Sequence, residues 1–155
     1  MTRSYSIREG RESDIDALVD FTLQEARDAE GKDLDAASVT KGVREAFADP
    51  PRARDWVAEA PDGVLAASIS VVTEWSNFRG GDYWWIQSLF IASDHRGSGL
   101  VDLLLDHVAG VAAASRALEL RLYAHVANER ALRVYRRCGF VTLPYVIMQR
   151  SVHQS

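Results

Sequence analysis

The run Arg96-Gly97-Ser98-Gly99 places a cation, a hydroxyl and two glycines directly before a leucine-rich segment that begins at Leu100. The first turn of a helix carries unpaired N–H groups and the positive end of the helix dipole. Because glycine lets the main chain approach a bulky anion, a glycine loop that enters a helix is suited to hold phosphate. The run is not a Walker loop, since no lysine follows the glycines, and it lacks the third glycine of the dinucleotide fingerprint. A tight turn without a ligand is the alternative interpretation of the same glycines.

Asn128 and Tyr135 form a second pattern, because seven residues are close to two helical turns and put both side chains on one face. Asn128 is a favoured residue at the start of a helix, and Gly139 follows where a helix is expected to end. Each residue taken alone also fits a structural role, Asn128 as a helix cap and Tyr135 as core packing. The pair is therefore a second candidate functional pattern, downstream of the glycine loop.

The periodicity of apolar residues predicts the elements that must position these motifs. We predict a short strand at Tyr5 and Ile7, followed by strands over residues 55–60, 64–73, 83–91, 118–125, 140–142 and 145–150. Predicted helices cover residues 15–26, 36–48, 99–114 and 128–138. The turn Pro61-Asp62-Gly63 joins two of the strands in a hairpin. This order of elements predicts one mixed α/β domain, residues 1–155, built around one central sheet.

The composition is that of an ordinary globular protein, with 155 residues, 47% hydrophobic and 26% charged. A net charge of −4 argues against general affinity for nucleic acid, which favours a basic surface. The single cysteine, Cys138, excludes an intramolecular disulfide and a cysteine-built metal site. No stretch reaches the ~20 apolar residues of a membrane span, and residues 1–5 lead into no apolar signal region. We therefore expect a cytoplasmic protein that acts on neither nucleic acid nor membranes.

Together, these motifs make the chain resemble the GNAT superfamily of acyl-CoA-dependent N-acetyltransferases, most clearly over residues 83–140. The family signature Arg/Gln-x-x-Gly-x-Gly/Ala is matched by Arg96, Gly99 and Val101, with Val101 where the family has a small residue. The strand and loop from Trp75 to Arg96 look most like those of the spermidine/spermine acetyltransferase-like group. The first half of the chain has the family's order of elements.

The family's downstream pattern, Asn-x6-Tyr followed by x-x-x-Gly-Phe, is matched by Asn128, Tyr135, Gly139 and Phe140. Two ordered signatures at the right separation are more specific than either one alone. The resemblance implies a mixed, mostly antiparallel central sheet with splayed central strands, flanked by about four helices. It also implies acetyl-CoA as the cosubstrate, no metal, and a homodimer, because many relatives pair through their final strands.

The resemblance also implies where acetyl-CoA is held. The backbone of Phe90 and Ile91 would hydrogen-bond the pantetheine arm as if this arm were an extra strand. Asn128 would contact the same arm, and Tyr135 would lie near the sulfur. The pyrophosphate would be held by main-chain N–H groups of the loop and the helix start: Arg96, Gly97, Ser98, Gly99, Leu100 and Val101.

Transfer of an acetyl group to an amine needs a neutral nucleophile, a donor for the oxyanion and an acid for the leaving thiol. An amine with a pKa of about 10.4 is neutral in roughly one molecule per 10³ at pH 7. Tyr135, whose pKa is ordinarily about 10, is the predicted acid, and a backbone N–H near Phe90 or Ile91 is the predicted oxyanion donor. Cys138 is predicted to be a small buried hydrophobe rather than a nucleophile, so transfer is expected to be direct.

The general base stays open at this point. His125 is a candidate because its ordinary pKa suits base chemistry, and a surface or core role is its alternative. A water chain ordered by Gln87 and Ser88 is a second route, and Glu74 and Asp82 are candidates by residue type. Gln87 and Ser88 stand where the polyamine acetyltransferases commonly carry acidic residues.

The predicted function is acetylation of a primary amine, in a small molecule or a peptide, within a ternary complex. A CoA-binding module that senses or regulates without turnover is the main alternative. A phosphate- or nucleotide-binding domain that shares only the glycine loop is a further one. Thiol release from acetyl-CoA in the presence of amines distinguishes the enzyme from both.

Overall fold

The computed structural model describes residues 4–153 and shows one sheet of five strands. The strands are β1 (Ser6–Glu9), β2 (Arg54–Glu59), β3 (Leu65–Ser76), β4 (Gly81–Ile91) and β5 (Glu119–Leu122). They follow one another across the sheet in chain order, and all neighbours are antiparallel except β4 and β5, which are parallel. The predicted domain, residues 1–155, extends beyond the described residues at both ends.

Helices cover both faces of this sheet. The helices are α1 (Ile15–Glu30), α2 (Ala36–Ala46), α3 (Leu100–Ala114) and α4 (Glu129–Arg137), with short 3-10 turns at Glu12–Asp14 and Ser93–His95. On one face, α3 buries Leu100, Leu104 and Val108 in the main hydrophobic cluster, whereas Leu103 is 46% exposed. On the other face, the ring of Phe21 in α1 lies 5.0 Å from the ring of Phe90 in β4. No helix within residues 4–153 is long and apolar enough to cross a membrane.

The four predicted helices and the first five predicted strands are confirmed, with shifted ends. The strand predicted over residues 118–125 ends at Leu122, so His125 lies in the loop that follows. Gly139 closes α4 as predicted, with a φ of 94° that favours glycine. The N–H of Phe140 bonds the Tyr135 carbonyl at 3.0 Å, and the N–H of Gly139 bonds the Arg136 carbonyl at 3.1 Å.

The two final strands predicted over residues 140–142 and 145–150 are wrong for the described structure. Residues 140–153 carry no strand, and large apolar side chains along them are exposed. The alternation of residues that predicted these strands is present in the sequence. A strand, however, also needs a neighbouring strand whose backbone forms hydrogen bonds with it. Within the described residues β5 pairs only with β4, so one of its edges is left open.

Strands β4 and β5 separate halfway along β4, which confirms the predicted splay of the central strands. Pairing with β5 covers only Tyr83–Ile86. In the pairing with β3, Val71 lies opposite Ile86 and Ser70 opposite Ser88, so Gln87 is an extra residue in a β-bulge. Beyond Gln87, residues 88–91 have β3 on one side and an open slot on the other.

The bulge also reverses which side chains face which helix layer. Before it, Trp84 and Ile86 belong to the cluster under α3. After it, Phe90 packs on Phe21, and the Ser88 hydroxyl bonds a side chain of α1. If Gln87 were paired regularly instead of forming a bulge, strict alternation would send Ser88 and Phe90 to the α3 face. The bulge therefore turns a hydroxyl and an aromatic ring toward α1.

Candidate active site

The loop before α3 presents a row of main-chain N–H groups. Gly97 and Gly99 have φ values of 73° and 81°, in the left-handed region that favours glycine. The N–H of Leu103 bonds the Gly99 carbonyl at 3.1 Å and is the first of α3 with a backbone acceptor. The N–H groups of residues 97–102 have no acceptor among residues 4–153. A row of such groups at a helix N-terminus fits a bound phosphate.

Arg96 ties this loop to two other elements. Its guanidinium pairs with the carboxylate of Asp28 in α1 at 2.8 Å, and its Nε donates to the carbonyl of Ile91 at 3.3 Å. The guanidinium also lies 5.9 Å from the centre of the Phe90 ring. Arg96 therefore holds the loop against the end of β4, and its side chain is engaged within the protein.

The other side chains of the loop also point into the protein. The Ser98 hydroxyl donates to the carbonyl of His95. Leu100 is buried, and Val101 packs against the main hydrophobic cluster. With these side chains engaged, the main chain is the part of the loop available to an anion.

Along the slot beside β4, every second residue of β4 turns its main-chain N–H and C=O groups toward the slot. The N–H of Leu89 donates to a carboxylate of α1 at 3.3 Å, so it faces away from β3 and into the slot. Because backbone groups alternate along a strand, Ile91 faces the same way as Leu89, and Phe90 faces β3, where it pairs with Ser68. Phe90 instead contributes its buried ring to the wall of the cleft. Leu89 belongs to none of the motifs that the sequence offers.

Tyr135 lies on α4, and Asn128 is the residue that caps the start of this helix, as predicted. The Asn128 side-chain oxygen caps α4 by accepting the N–H of Ala131 at 3.2 Å, which leaves its amide nitrogen as a donor. The Tyr135 ring meets the edge of the Phe140 ring at 5.8 Å. Burial raises the pKa of Tyr135, and the charge of Glu25 raises it further. Tyr135 therefore stays protonated at neutral pH.

Glu25 in α1 is the site residue that the sequence analysis missed. Its carboxylate accepts hydrogen bonds from the Ser88 hydroxyl and from the N–H of Leu89. Burial raises the pKa of Glu25, although both hydrogen bonds act to lower it. A signal was present, because helical spacing puts this acidic residue on the buried stripe of α1 with Leu18 and Phe21.

Two cavities meet at these residues. The larger, about 690 Å³, is bordered by Glu25, Glu30 and Asp55, and no lysine or arginine lies among its described lining residues. The smaller, about 530 Å³, runs along β4 to the glycine loop and is bordered by three arginines and three carboxylates: Arg96, Arg130, Arg137, Glu25, Asp28 and Asp102. Arg96 pairs with Asp28, and Arg137 pairs with Asp102. The residues that border both cavities are Glu25, Ala29, Asn128, Ala131 and Tyr135. A carboxylate and a phenol therefore stand between an acidic cavity and a cavity whose arginines and carboxylates are equal in number.

A family model described as the Acetyltransferase (GNAT) family matches residues 17–140, which is most of the chain. The chain belongs to the GNAT acetyltransferase family. Members of this family use acetyl-CoA. The match confirms the predicted family, and the likeness to the spermidine/spermine group stays a prediction.

Solved structures share the fold of this acetyltransferase over almost its whole length. A possible acetyltransferase from Clostridium difficile 630 superposes with a TM-score of 0.89 at 27% identity, covering 97% of this chain and 99% of the other. A predicted acetyltransferase with acetyl-CoA from Clostridium acetobutylicum gives 0.77 at 18% identity, with 95% and 96% covered. A ribosomal-protein-alanine N-acetyltransferase from Brucella melitensis biovar Abortus 2308 gives 0.75 at 19% identity, with 95% and 100% covered. No curated protein sequence matches the chain.

The other predicted catalytic residues of this GNAT domain line the larger cavity. Gln87 is the exposed bulge residue of β4, and His125 is exposed in the loop before α4. The Nδ1 atom of His125 accepts the N–H of Ala127 at 3.1 Å. Neither residue borders the smaller cavity, and Glu74 and Asp82 line neither cavity.

A polar row crosses the floor of the larger cavity. Asp55 in β2 lies opposite Ser70 in β3, and Ser70 lies opposite Ser88 in β4, which bonds Glu25. Burial raises the pKa of Asp55 to about 6, against the lowering effect of a hydrogen bond from Ser70. The acceptor side of the site therefore holds a second half-buried carboxyl group, at the end of the row opposite Glu25.

Metal chemistry has no ligand set in the described part of the chain. Residues 4–153 contain no group of three or more His, Cys, Asp and Glu side chains that could hold a metal ion. Cys138 is half-buried, and burial raises the pKa of its thiol. The thiol also contacts the carboxylate of Asp102 at 3.3 Å. These surroundings disfavour a thiolate nucleophile.

Proposed function

We propose that this GNAT domain transfers an acetyl group from acetyl-CoA to a primary amine of a small molecule or peptide by direct attack in a ternary complex. The observation that carries the proposal is the junction of the two cavities at Glu25 and Tyr135. The N–H groups of residues 97–102 and the guanidinium of Arg130 suit an anionic cosubstrate in the smaller cavity. The larger cavity, bordered by carboxylates and by no described lysine or arginine, suits a cationic acceptor. Groups that can take and give a proton lie where the two would meet.

The residues of the smaller cavity fit acetyl-CoA. The N–H groups of residues 97–102, which have no backbone acceptor within the described part of the chain, would hold the pyrophosphate, with Arg130 adding positive charge. At the open edge of β4, the Leu89 carbonyl and the Ile91 N–H would bond the pantetheine arm, and the Asn128 amide would donate to it. Acetyl-CoA, when bound, supplies an activated acetyl thioester.

The loop assignment predicts a difference between two substitutions of Gly99. Gly99→Asp should weaken acetyl-CoA binding by about 100-fold, because its charge would oppose the pyrophosphate at close range. Gly99→Asn has nearly the same shape and tolerates the same φ, so the matched Asn variant should lose about tenfold or less. Isothermal titration calorimetry with acetyl-CoA measures both. Equal affinities of the Asp and Asn variants would place the pyrophosphate away from this loop.

We assign Glu25 as the general base that activates the amine. Its carboxylate borders both cavities, whereas His125 and Gln87 border only the acceptor cavity. An ordinary Glu and an alkylamine differ by about six pKa units, which is about 8 kcal/mol against proton transfer. The raised pKa of Glu25 reduces this difference. His125 and Gln87 remain candidates for contacts with the acceptor.

Tyr135 is assigned as the acid for the departing thiol. As the C–N bond forms and the C–S bond breaks, the amine proton passes to Glu25 and the Tyr135 phenol protonates the sulfur. Burial keeps the phenol protonated until it is needed. The N–H of Leu89 faces the slot and is the candidate donor to the carbonyl oxygen of the acetyl group.

The proposal is tested by thiol release from acetyl-CoA with matched acceptors. An alkyl monoamine, a diamine, an arylamine and a peptide with a free N-terminus are compared with an alcohol of the same carbon skeleton. We expect thiol release and an acetylated product, seen by mass spectrometry, with at least one amine and not with the alcohol. No release with any amine, together with thermal stabilisation by acetyl-CoA, would contradict transfer and favour a CoA-binding module.

A further inference from the structure

Lysine is rare in this chain, and both lysines lie in one short stretch of it. Of the 18 lysines and arginines, only Lys32 and Lys41 are lysines, and they lie just after α1 and on α2. Lysine carries a primary alkylamine, whereas arginine carries a guanidinium. The same stretch forms one wall of the larger cavity, which it borders with six residues: Glu30, Leu34, Val39, Gly42, Val43 and Ala46. The ε-amines of the chain therefore belong to the wall of the cavity that is proposed to take a primary amine.

The end of α1 holds Lys32 close to this cavity. Gly31 ends the helix with a φ of 63°, and the N–H of Lys32 bonds the carbonyl of Ala26 at 3.1 Å. This bond brings Lys32 back beside the last turns of α1, where Ala26 and Glu30 border the cavity. The Nζ atom of Lys32 lies 3.7 Å from a carboxylate oxygen of Glu30, and 63% of the lysine side chain is exposed. The amine therefore lies at the rim of the cavity and is free to move.

The proposed base is within the reach of this side chain. Glu25 and Glu30 are five residues apart on α1, which is ~7.5 Å along the helix axis. An extended lysine side chain is about 6 Å long, the rise of four helical residues, so a swing about its Cα moves Nζ by up to ~12 Å. The ion pair with Glu30 is exposed to solvent, and such a pair resists this movement only weakly.

We propose that this domain acetylates Lys32 of its own chain, with acetyl-CoA as the donor. The charged ε-amine first loses a proton to water, and the neutral nitrogen then attacks the acetyl carbonyl. As the C–N bond forms and the C–S bond breaks, an amine proton passes to Glu25 and the sulfur takes a proton from Tyr135. The products are an amide on Lys32 and free CoA thiol. The step rests on the proposed function, because it uses the same donor and the same site.

Acetylation of Lys32 would change the charge of the acceptor cavity. Lys32 would become neutral, and the Glu30 carboxylate would lose the cation that is paired with it. Glu30 borders a cavity with no lysine or arginine among its described lining residues, so the modified chain would present a more negative wall to a cationic acceptor. The charge of Glu30 also raises the pKa of Glu25. One modified residue would thus act on both acceptor binding and the proposed base.

The experiment incubates the full chain with acetyl-CoA and no added amine, and maps acetylated lysines by mass spectrometry. The wild type is compared with Lys32→Arg and with the matched control Lys41→Arg, because arginine keeps the positive charge but offers no amine. The wild-type chain unfolded in urea measures direct chemical acetylation. Tyr135→Phe is included, and the acetylation of an added alkyl monoamine is followed in parallel samples.

We expect one acetyl group per chain, on Lys32, in the wild type and in Lys41→Arg, and none in Lys32→Arg or in the unfolded chain. Tyr135→Phe should slow the reaction of Lys32 by the same factor as the reaction of the monoamine, about 100-fold. At saturating acetyl-CoA, about tenfold dilution of the protein should leave the half-time unchanged, because the reaction takes place within one chain.

Equal acetylation of Lys32 and Lys41 would overturn the proposal, as would a rate at Lys32 that does not follow the monoamine rate in Tyr135→Phe. A half-time that lengthens on dilution would also overturn it, because the lysine of one copy would then react in the site of another. If the monoamine is acetylated and Lys32 is not, self-acetylation is wrong and the proposed function stands. If neither is acetylated, both are wrong.

Discussion

Glu25→Gln is expected to lower kcat for amine acetylation by about 100- to 10 000-fold, the usual contribution of a general base. The glutamine oxygen can still accept the N–H of Leu89, and the glutamine NH2 can donate to the Ser88 hydroxyl oxygen, but the side chain cannot take the amine proton. The Kd for acetyl-CoA should stay close to that of the wild type. Steady-state thiol release and calorimetry give the two quantities, and Glu45→Gln, on the exposed surface of α2, is the matched control.

The pH dependence of kcat/KM is a second test of Glu25→Gln. Glu25 acts as a base only when ionised, so the wild-type kcat/KM should rise with pH through the raised pKa of Glu25. The variant should lack this rise and follow only the ionisation of the amine. A variant with the wild-type pH profile and rate would place the base elsewhere, with His125 the next residue to replace.

Thermal stability shows whether Glu25→Gln is less active because the base is missing or because the fold is damaged. Because the folded pKa of Glu25 is raised, the folded state holds this proton more tightly than the unfolded chain does. Stability therefore falls as pH rises from the ordinary Glu pKa through the raised value. Above that value Glu25→Gln should unfold at a higher temperature than the wild type, even though it is less active.

Tyr135→Phe is expected to lower kcat by about 100-fold, because the substitution removes only the proton that the leaving thiolate needs. The ring keeps its edge contact with Phe140, so the fold and the Kd for acetyl-CoA should change little. Stopped-flow thiol release measures the rate, and calorimetry measures the affinity. Tyr83→Phe is the matched control, since Tyr83 borders neither cavity. A Tyr135→Phe enzyme as fast as the wild type would show that water protonates the sulfur.

The parts of the site that local sequence specifies could be predicted, and the parts made by tertiary packing could not. The glycine loop and the α4 pair are local, because the signals for a helix start and a helical turn lie within a few residues. Glu25 reaches Ser88 across 63 positions of the chain. No short-range pattern reports such a contact, and only the acidic residue on the apolar stripe of α1 hinted at it.

The main-chain groups that face the slot could not be predicted from the sequence either. The bulge at Gln87 shifts the register of β4 by one residue, and single-residue shifts leave no reliable trace in an alternating sequence. Leu89 was therefore overlooked beside Phe90 and Ile91. The prediction of strands over residues 140–142 and 145–150 was wrong for the opposite reason. Their local alternation is strong, but within the described residues no neighbouring strand pairs with them.

The single inserted residue at position 87 adds a side chain to the α1 face of β4 without moving its neighbours on that face. Because Ser88 is paired with Ser70 and Phe90 with Ser68, deletion of Gln87 would restore regular pairing with β3 and would keep both side chains toward α1. The hydroxyl would stay on Glu25 and the ring on Phe21. The deletion would instead remove the Gln87 side chain from the wall of the larger cavity and straighten β4 next to the last residue that pairs with β5. Loss of one codon would therefore reshape the acceptor side of the cleft and spare the residues that carry protons.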